Sequence, residues 1–293
     1  MSDNKEPTSA RFRELLFTLR MMRGSKITMV AVGVVIGSFV VAIFAPYLSP
    51  YNANAQMLAL RLEGPSFAHP LGLDGLGRDI LSRLIWGSQI SLLIGVIVVV
   101  LSVAIGLPVG AIAGYFGGVV DEVIMRMTDI VMSFPGIVLA ILFAYIMGRG
   151  PVAAFIALSL VSWTTIARIM RGVVLLEKEK DYTTAAKVVG KGNFRILFGE
   201  ILPNSIQPVI VWSSLMMGNA IVSLAGLSFI GVGVQPPTAD WGIMVADGYA
   251  FLIESPLMAI VPGIVIIIVA LSFNIIGDSL QDALDPQLRR AMQ

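Results

Sequence analysis

Residues 257–277 read LMAIVPGIVIIIVALSFNIIG, a run without a single charged side chain. A helix rises about 1.5 Å per residue, so roughly 20 apolar residues cross the roughly 30 Å hydrocarbon core of a bilayer. Five more runs of this kind lie upstream: 27–45 (ITMVAVGVVIGSFVVAIFA), about 91–115, about 130–147, about 151–167 and about 206–234. Only 13 % of the 293 residues are charged, against about 25 % in an ordinary soluble domain. Mean hydropathy is +0.86. The pattern predicts an all-α integral membrane protein with six transmembrane helices.

The run at 206–234 is longer than one crossing and too short for two, which predicts a tilt or a break near Gly231 and Gly233. Pro108, Pro135 and Pro262 fall inside spans, where neighbouring helices satisfy the freed carbonyls. The first run reads as a retained helix rather than a cleaved signal: its apolar core is too long, and Ala42 and Ala45 stand at the wrong spacing for cleavage.

Lysine and arginine set the expected orientation. Sixteen of the 20 lie in the N-terminal tail, at Arg126, between Arg168 and Arg195, or at Arg289 and Arg290; Arg61, Arg78, Arg83 and Arg149 remain for the other side. With six spans, both termini are expected in the cytoplasm. The chain then divides into a cytoplasmic tail (1–26), a first span (27–45), an extracytoplasmic segment (46–88), a core of five spans (89–278) and a cytoplasmic tail (279–293). The core carries a cytoplasmic loop at 168–205. Within the first tail, RFRELLFTLRMMR (11–23) sets Phe12, Leu15, Leu16, Leu19 and Met22 on one helical face, as in a helix lying on membrane lipid. The outer loop 235–256 carries Asp240, Asp247 and Glu254 and no cation. With Trp241 it is either a contact for an extracytoplasmic protein or a solvated acidic loop.

Much chemistry is excluded. GKGNF (190–194) lacks the upstream glycine and following Ser/Thr of an ATP-binding loop. GLDGLG (72–77) follows no strand and opens no crossover unit, so it is not a dinucleotide fingerprint. The chain has no cysteine and one histidine, His69, which reads as structural beside Pro70. No catalytic residue, metal site, cofactor or nucleic-acid partner is expected. The central parts of the spans carry no Asp, Glu, Lys or Arg, which counts against a proton- or ion-coupled carrier. Their polar groups include Ser159, Ser162 and Thr165, then Asn219 and Ser223, then Asn274. These either line an uncharged, wettable path or make hydrogen bonds between helices.

One polar, basic segment interrupts the apolar runs: DYTTAAKVVGKGNFRILFGEILPNSIQP, 181–208. Its pattern predicts a helix through TTAAKVV, a corner at Gly190-Lys191-Gly192, an N-cap at Asn193, and a second short helix that includes Phe194 and is ended by Pro203. Ala185 and Ala186 are expected at the surface, where small side chains permit close approach by another protein. A bare solvated connector would explain the charge but not a helix–corner–helix design.

The spacing Ala185-Ala186, Gly190, Leu202-Pro203 resembles the "EAA" loop of ABC importer permeases, with Thr184 standing where that motif has its glutamate. HPLGLDGLGRDILSRLIWGSQISLLIG (69–95), LSFIGVGVQPPTADWG (227–242) and DALDPQLR (282–289) resemble signatures of the C-type permease of dipeptide, oligopeptide and nickel importers. The resemblance implies a type I importer permease fold in the cell membrane. It implies a homologous B-type permease, two ATPase subunits that bind ATP and Mg2+, and an extracytoplasmic peptide-binding protein. It further implies that residues 181–203 dock into a cleft on an ATPase. Thr184 carries no charge for a salt bridge from that position, and the implied docking does not depend on one.

Overall fold

The structure, a computed structural model, describes residues 22–284. The helix expected over 11–23 lies outside this range except for its last two residues, as does most of the C-terminal tail. Among the described residues the chain is helical, with one isolated β-bridge between Leu73 and Asp79. Its main elements are α1 (Lys26–Ile43), α2 (Ile80–Phe116), α3 (Gly118–Met132), α4 (Gly136–Met147), α5 (Pro151–Glu177), α6 (Asp181–Val188), α7 (Asn193–Ile196), α8 (Leu202–Phe229), α9 (Trp241–Tyr249) and α10 (Leu257–Leu284). Five helices are long and apolar enough to cross a membrane: α1, α2, α5, the rod from Asn193 to Phe229, and α10. The pair α3 and α4 makes a sixth span if the two count as one.

That pair corrects the simple reading of the third run. The chain bends by 88° between Gly118–Met132 and Gly136–Met147. Pro135 is the N-cap of α4, so it sits at the break rather than inside a helix. Its ring removes an amide donor and disfavours helical geometry at Phe134. The 12 residues of α4 rise only about 18 Å, short of a full crossing. The preceding α3 is amphipathic: Asp121 and Asp129 face α5, where they bind Arg171 (2.5 Å) and Arg168 (2.8 Å).

The fifth run is corrected as well. Pro203 does not stop a helix; it lies in the first turn of α8, directly after a π-helical turn. α7 enters α8 through a π-helical turn at Leu197–Ile201, so the rod is continuous. Gly192 rather than Asn193 holds the N-cap position of α7. At its far end the rod stops close to the expected break: Gly231 adopts φ +83°, and the amides of Val232 and Gly233 bond back to the Leu227 carbonyl at 3.0 and 2.9 Å.

Between membrane helices, close packing replaces the hydrophobic driving force available in water. The tightest contact is α2 against α5. Gly106, Gly110 and Gly114 are four residues apart and form one bare strip. A methyl carbon on them would lie 2.4 Å from the Trp163 carbonyl oxygen, 2.1 Å from that of Ala167 and 2.8 Å from that of Arg171. Only glycine admits this approach. Around it run three apolar clusters, one of which joins Ala111, Ile166, Met170 and Val174 to Ala186, Ile196, Leu197 and Ile201.

Candidate functional site

The polar segment between α5 and α8 is built as a fixed corner. Glu177, at the end of α5, organises it: its carboxylate accepts from Lys180 Nζ at 2.6 Å and from the Tyr182 hydroxyl at 2.7 Å. Its carbonyl oxygen accepts from Thr183 Oγ1 at 2.9 Å. Burial, and the bond to the Glu177 carboxylate, push the Tyr182 phenol above its ordinary pKa. α6 then ends at a glycine in the left-handed region: Gly190 has φ +80°. Its amide bonds to the Lys187 carbonyl at 2.9 Å, and that of Lys191 to Ala186 at 3.1 Å, which satisfies carbonyls left free at the helix end. Lys191 reaches across the turn to Glu200 at 2.5 Å.

The corner has two faces. Ala186, expected at the surface, is 7 % exposed and packs with Ile196, Leu197 and Ile201, which are fully buried. Leu202 packs against the same cluster. Burial of α6 against α7 and the π turn, rather than any feature of its own sequence, turns Ala186 inward. Thr184, Ala185, Lys191, Gly192 and Pro203 are exposed, as expected of a contact surface. So are three large apolar side chains: Val188 at 83 %, Val189 at 79 % and Phe194 at 64 %. The two valines were legible only as part of a helical run. Their signal was an apolar pair at the tip of an otherwise polar segment. Phe194 stands between Phe116 and Phe198, with ring centroids 5.7 and 6.4 Å away. Tyr115 donates to Asn193 Oδ1 at 3.2 Å, and Lys178 to the Gly114 carbonyl at 3.2 Å. The end of α2 is thus tied to the corner as well.

Where α3 breaks into α4, a cavity of about 300 Å³ opens beside α5 and α8. Ser162, Thr165 and Asn219 line it together, with Phe134, Trp212 and Met216. No charged side chain does. Ser159 and Ser223 do not belong to it. Ser159 is buried and donates to the Phe155 carbonyl of its own helix at 2.7 Å, so it neither lines the cavity nor bonds between helices; Ser223 is half-buried elsewhere on α8.

At the opposite end, the loop 235–256 is no solvated acidic loop. It folds inward as α9, and Asp240 and Trp241 are 1 % and 2 % exposed, so neither can meet another protein on the surface. Asp240 caps α9, accepting from the amides of Gly242 and Ile243 at 3.0 and 3.3 Å and from Ser91 Oγ at 2.7 Å. Burial raises its carboxyl pKa, and the bonds from Ser91, Ser228 and the two amides oppose that rise. The Trp241 indole donates to the Leu84 carbonyl at 3.1 Å. Asp247 is paired with Arg78 at 3.0 Å, and Arg78 also holds Asp74 at 2.6 Å. The cations missing from the loop are supplied by the segment before α2. Glu254 alone of the expected contact residues is exposed. His69 bonds to Asp79, the N-cap of α2, at 2.8 Å, the structural role its sequence context suggested.

Residues 106–290 match the family model described as "Binding-protein-dependent transport system inner membrane component". The chain belongs to that family. Residues 18–65 of this permease also match the "N-terminal TM domain of oligopeptide transport permease C". It is 42 % identical over 250 residues to the glutathione transport system permease protein GsiD of Pectobacterium atrosepticum, covering 85 % of this chain and 83 % of that one. It is 39 % identical over 284 residues to the dipeptide transport system permease protein DppC of Haemophilus influenzae, covering 95 % of each. A chain of the MetNI methionine ABC transporter, solved in inward-facing conformations, shares the fold with a TM-score of 0.56 at 18 % identity, over 70 % of this chain and 98 % of that one. This is a multi-pass inner-membrane permease of the ABC importer type.

Proposed function

We propose that this permease is the C-type subunit of an ATP-driven importer of di- or oligopeptides. It pairs with a homologous B-type permease and two ATPase subunits, and it receives its solute from an extracytoplasmic binding protein. The observation that carries this reading is the corner at Gly190. Its outer face offers Val188, Val189 and Phe194 to a cleft on another protein, and its inner face is one cluster with α2, α5 and α8. An ATPase that grips the outer face moves the bases of three helices as one body. Two of those helices, α5 and α8, carry Ser162, Thr165 and Asn219 into the cavity. Work done at the corner thereby reaches the path. ATP and Mg2+ belong to the ATPase subunits.

Peptide as the solute is supported by the relatives transporting dipeptides and glutathione, and by a lining whose hydroxyl and amide groups match peptide bonds without binding them as charges. The same machinery would serve nickel or another small solute. An ion-coupled carrier is disfavoured by the uncharged lining. Both termini face the cytoplasm in this reading, on the strength of the cation asymmetry. The test is reconstitution of the four membrane-associated subunits in liposomes, with binding protein and labelled dipeptide outside and ATP inside. Uptake should require both ATP and binding protein. Uptake by this permease alone, without ATP, refutes the proposal. Because the chain lacks cysteine, single cysteines at Tyr47 and at Val189 report topology: only the first should react with an impermeant maleimide in intact spheroplasts.

A further inference from the structure

Two ion pairs join α3 to α5, and they are built differently. Arg171 grips Asp121 through two hydrogen bonds of 2.5 Å, and those side chains are only 32 % and 17 % exposed. Arg168 meets Asp129 through one hydrogen bond of 2.8 Å, with side chains 47 % and 55 % exposed. The first pair is enough to tie the helices. An exposed pair with a single contact adds little to stability. Among the described residues nothing else engages the remaining guanidinium N–H groups of Arg168 or the second carboxylate oxygen of Asp129.

Helix periodicity places this second pair. Ser162, Thr165 and Arg168 recur every third residue of α5 and share one face, with Arg168 about 4.5 Å along the axis from Thr165. Asp129 stands in the same relation to Met132 on α3. Thr165 and Met132 both line the cavity of about 300 Å³. The pair therefore lies one turn from that cavity, on the side where α5 runs on to Glu177 and the corner. A solute leaving the cavity toward the corner passes it. The cavity itself offers hydroxyl and amide groups but no charge. An uncharged lining can pair with peptide bonds, yet leaves an ammonium and a carboxylate uncompensated, which is costly away from water. One cation beside one anion compensates both ends and carries no net charge. A divalent metal ion would meet Arg168 as well as Asp129. No group of three or more acidic or imidazole ligands stands among the described residues to hold one.

We propose that Arg168 and Asp129 form a subsite for the charged ends of the transported peptide, Arg168 taking its carboxylate and Asp129 its ammonium as they part from each other. The inference rests on the importer reading above and narrows its solute to a small zwitterion.

The experiment uses the assembled importer in liposomes and reads ATP-driven uptake of labelled Ala-Ala, Ala-Lys and Ala-Asp at saturating binding protein. Dividing each rate by the parent's cancels the binding protein's own preference. Arg168→Gln leaves a net negative subsite and should slow Ala-Asp about tenfold more than Ala-Lys, the size of one charge-assisted hydrogen bond. Asp129→Asn should reverse that preference. The double variant should be slow with all three peptides and prefer none. The preferences should persist at 500 mM salt, which screens charges acting at a distance far more than charges in contact. All three variants should melt within about 2 °C of the parent, because the exposed pair holds little of the fold. Equal slowing of Ala-Lys and Ala-Asp in the single variants, a double variant as fast as the parent, preferences abolished by salt, or a larger fall in melting midpoint each overturn the assignment. If the parent importer takes up no dipeptide in the presence of ATP and binding protein, the importer reading fails and the subsite with it.

Discussion

Gly110→Ala adds one methyl group, and the structure fixes what that methyl meets. Its carbon would sit 2.1 Å from the Ala167 carbonyl oxygen and 2.8 Å from the Ala167 Cα, both backbone atoms that cannot rotate aside. A tolerable carbon–oxygen contact is about 3.3 Å, so α2 and α5 must part by about 1 Å at the crossing. A gap of that size forfeits a quarter to a half of the dispersion energy of the neighbouring contacts. Overpacking costs about 1–3 kcal/mol, and an immovable neighbour argues for about 3. Alanine returns about 1 kcal/mol of helix propensity, leaving a net loss of about 2. At about 2–4 °C per kcal/mol for a chain of this size, the melting midpoint in detergent should fall by about 4–8 °C. Gly172→Ala is the matched control: it is helical and exposed, and a methyl there meets nothing within 4 Å. It should gain the propensity term alone, rising by about 1 kcal/mol at most. The assay is the fraction of monodisperse protein remaining after heating, read on both variants and the parent. If Gly110→Ala melts at or above the parent, the close crossing inferred here is wrong.

At the corner, Val188→Asp should leave the melting midpoint near the parent while the ATPases co-purify poorly and stimulated hydrolysis falls at least tenfold; normal co-purification would refute docking through the apolar tip. Ala186→Arg should instead destabilise the permease itself, since the side chain must enter the cluster with Ile196 and Ile201 or unseat α6; a folded variant defective only in ATPase binding would show Ala186 to be surface after all. Gly190→Val places a β-branched residue at φ +80° and should cost about 1–2 kcal/mol of corner stability, seen as faster proteolysis after Lys187 or Lys191; parental protection would refute the strained turn. Arg78→Ala removes the nearest cation from Asp74 and Asp247, leaves them Arg83 at 3.6 and 3.9 Å, and should cost about 1.5–3 kcal/mol, with Arg78→Ala plus Asp74→Ala recovering part of it; a single variant as stable as the parent would refute the buried pair.

The sequence by itself determined the membrane class, the all-helical architecture and the place of the polar corner. Those features are written in uninterrupted runs of apolar residues and in one glycine-punctuated break, and both act over neighbouring residues. It also marked Ser162, Thr165 and Asn219, because a polar side chain within an apolar run stands out wherever the helix faces. Which way a side chain faces was another matter. Ala185 and Ala186 are adjacent and identical in chemistry, yet one is exposed and the other buried, because Thr183 ties α6 to the end of α5 at the Glu177 carbonyl and Ala186 then packs on Ile196, Leu197 and Ile201. The acidic loop shows three carboxylates and no cation, but Arg78 lies 169 residues before Asp247, so the neutralising partner has no local signature. Helix contacts in a bilayer depend on how closely backbones approach, and that depends on two strips of small residues meeting. One strip can be read along the chain; its mate is chosen only by the folded structure.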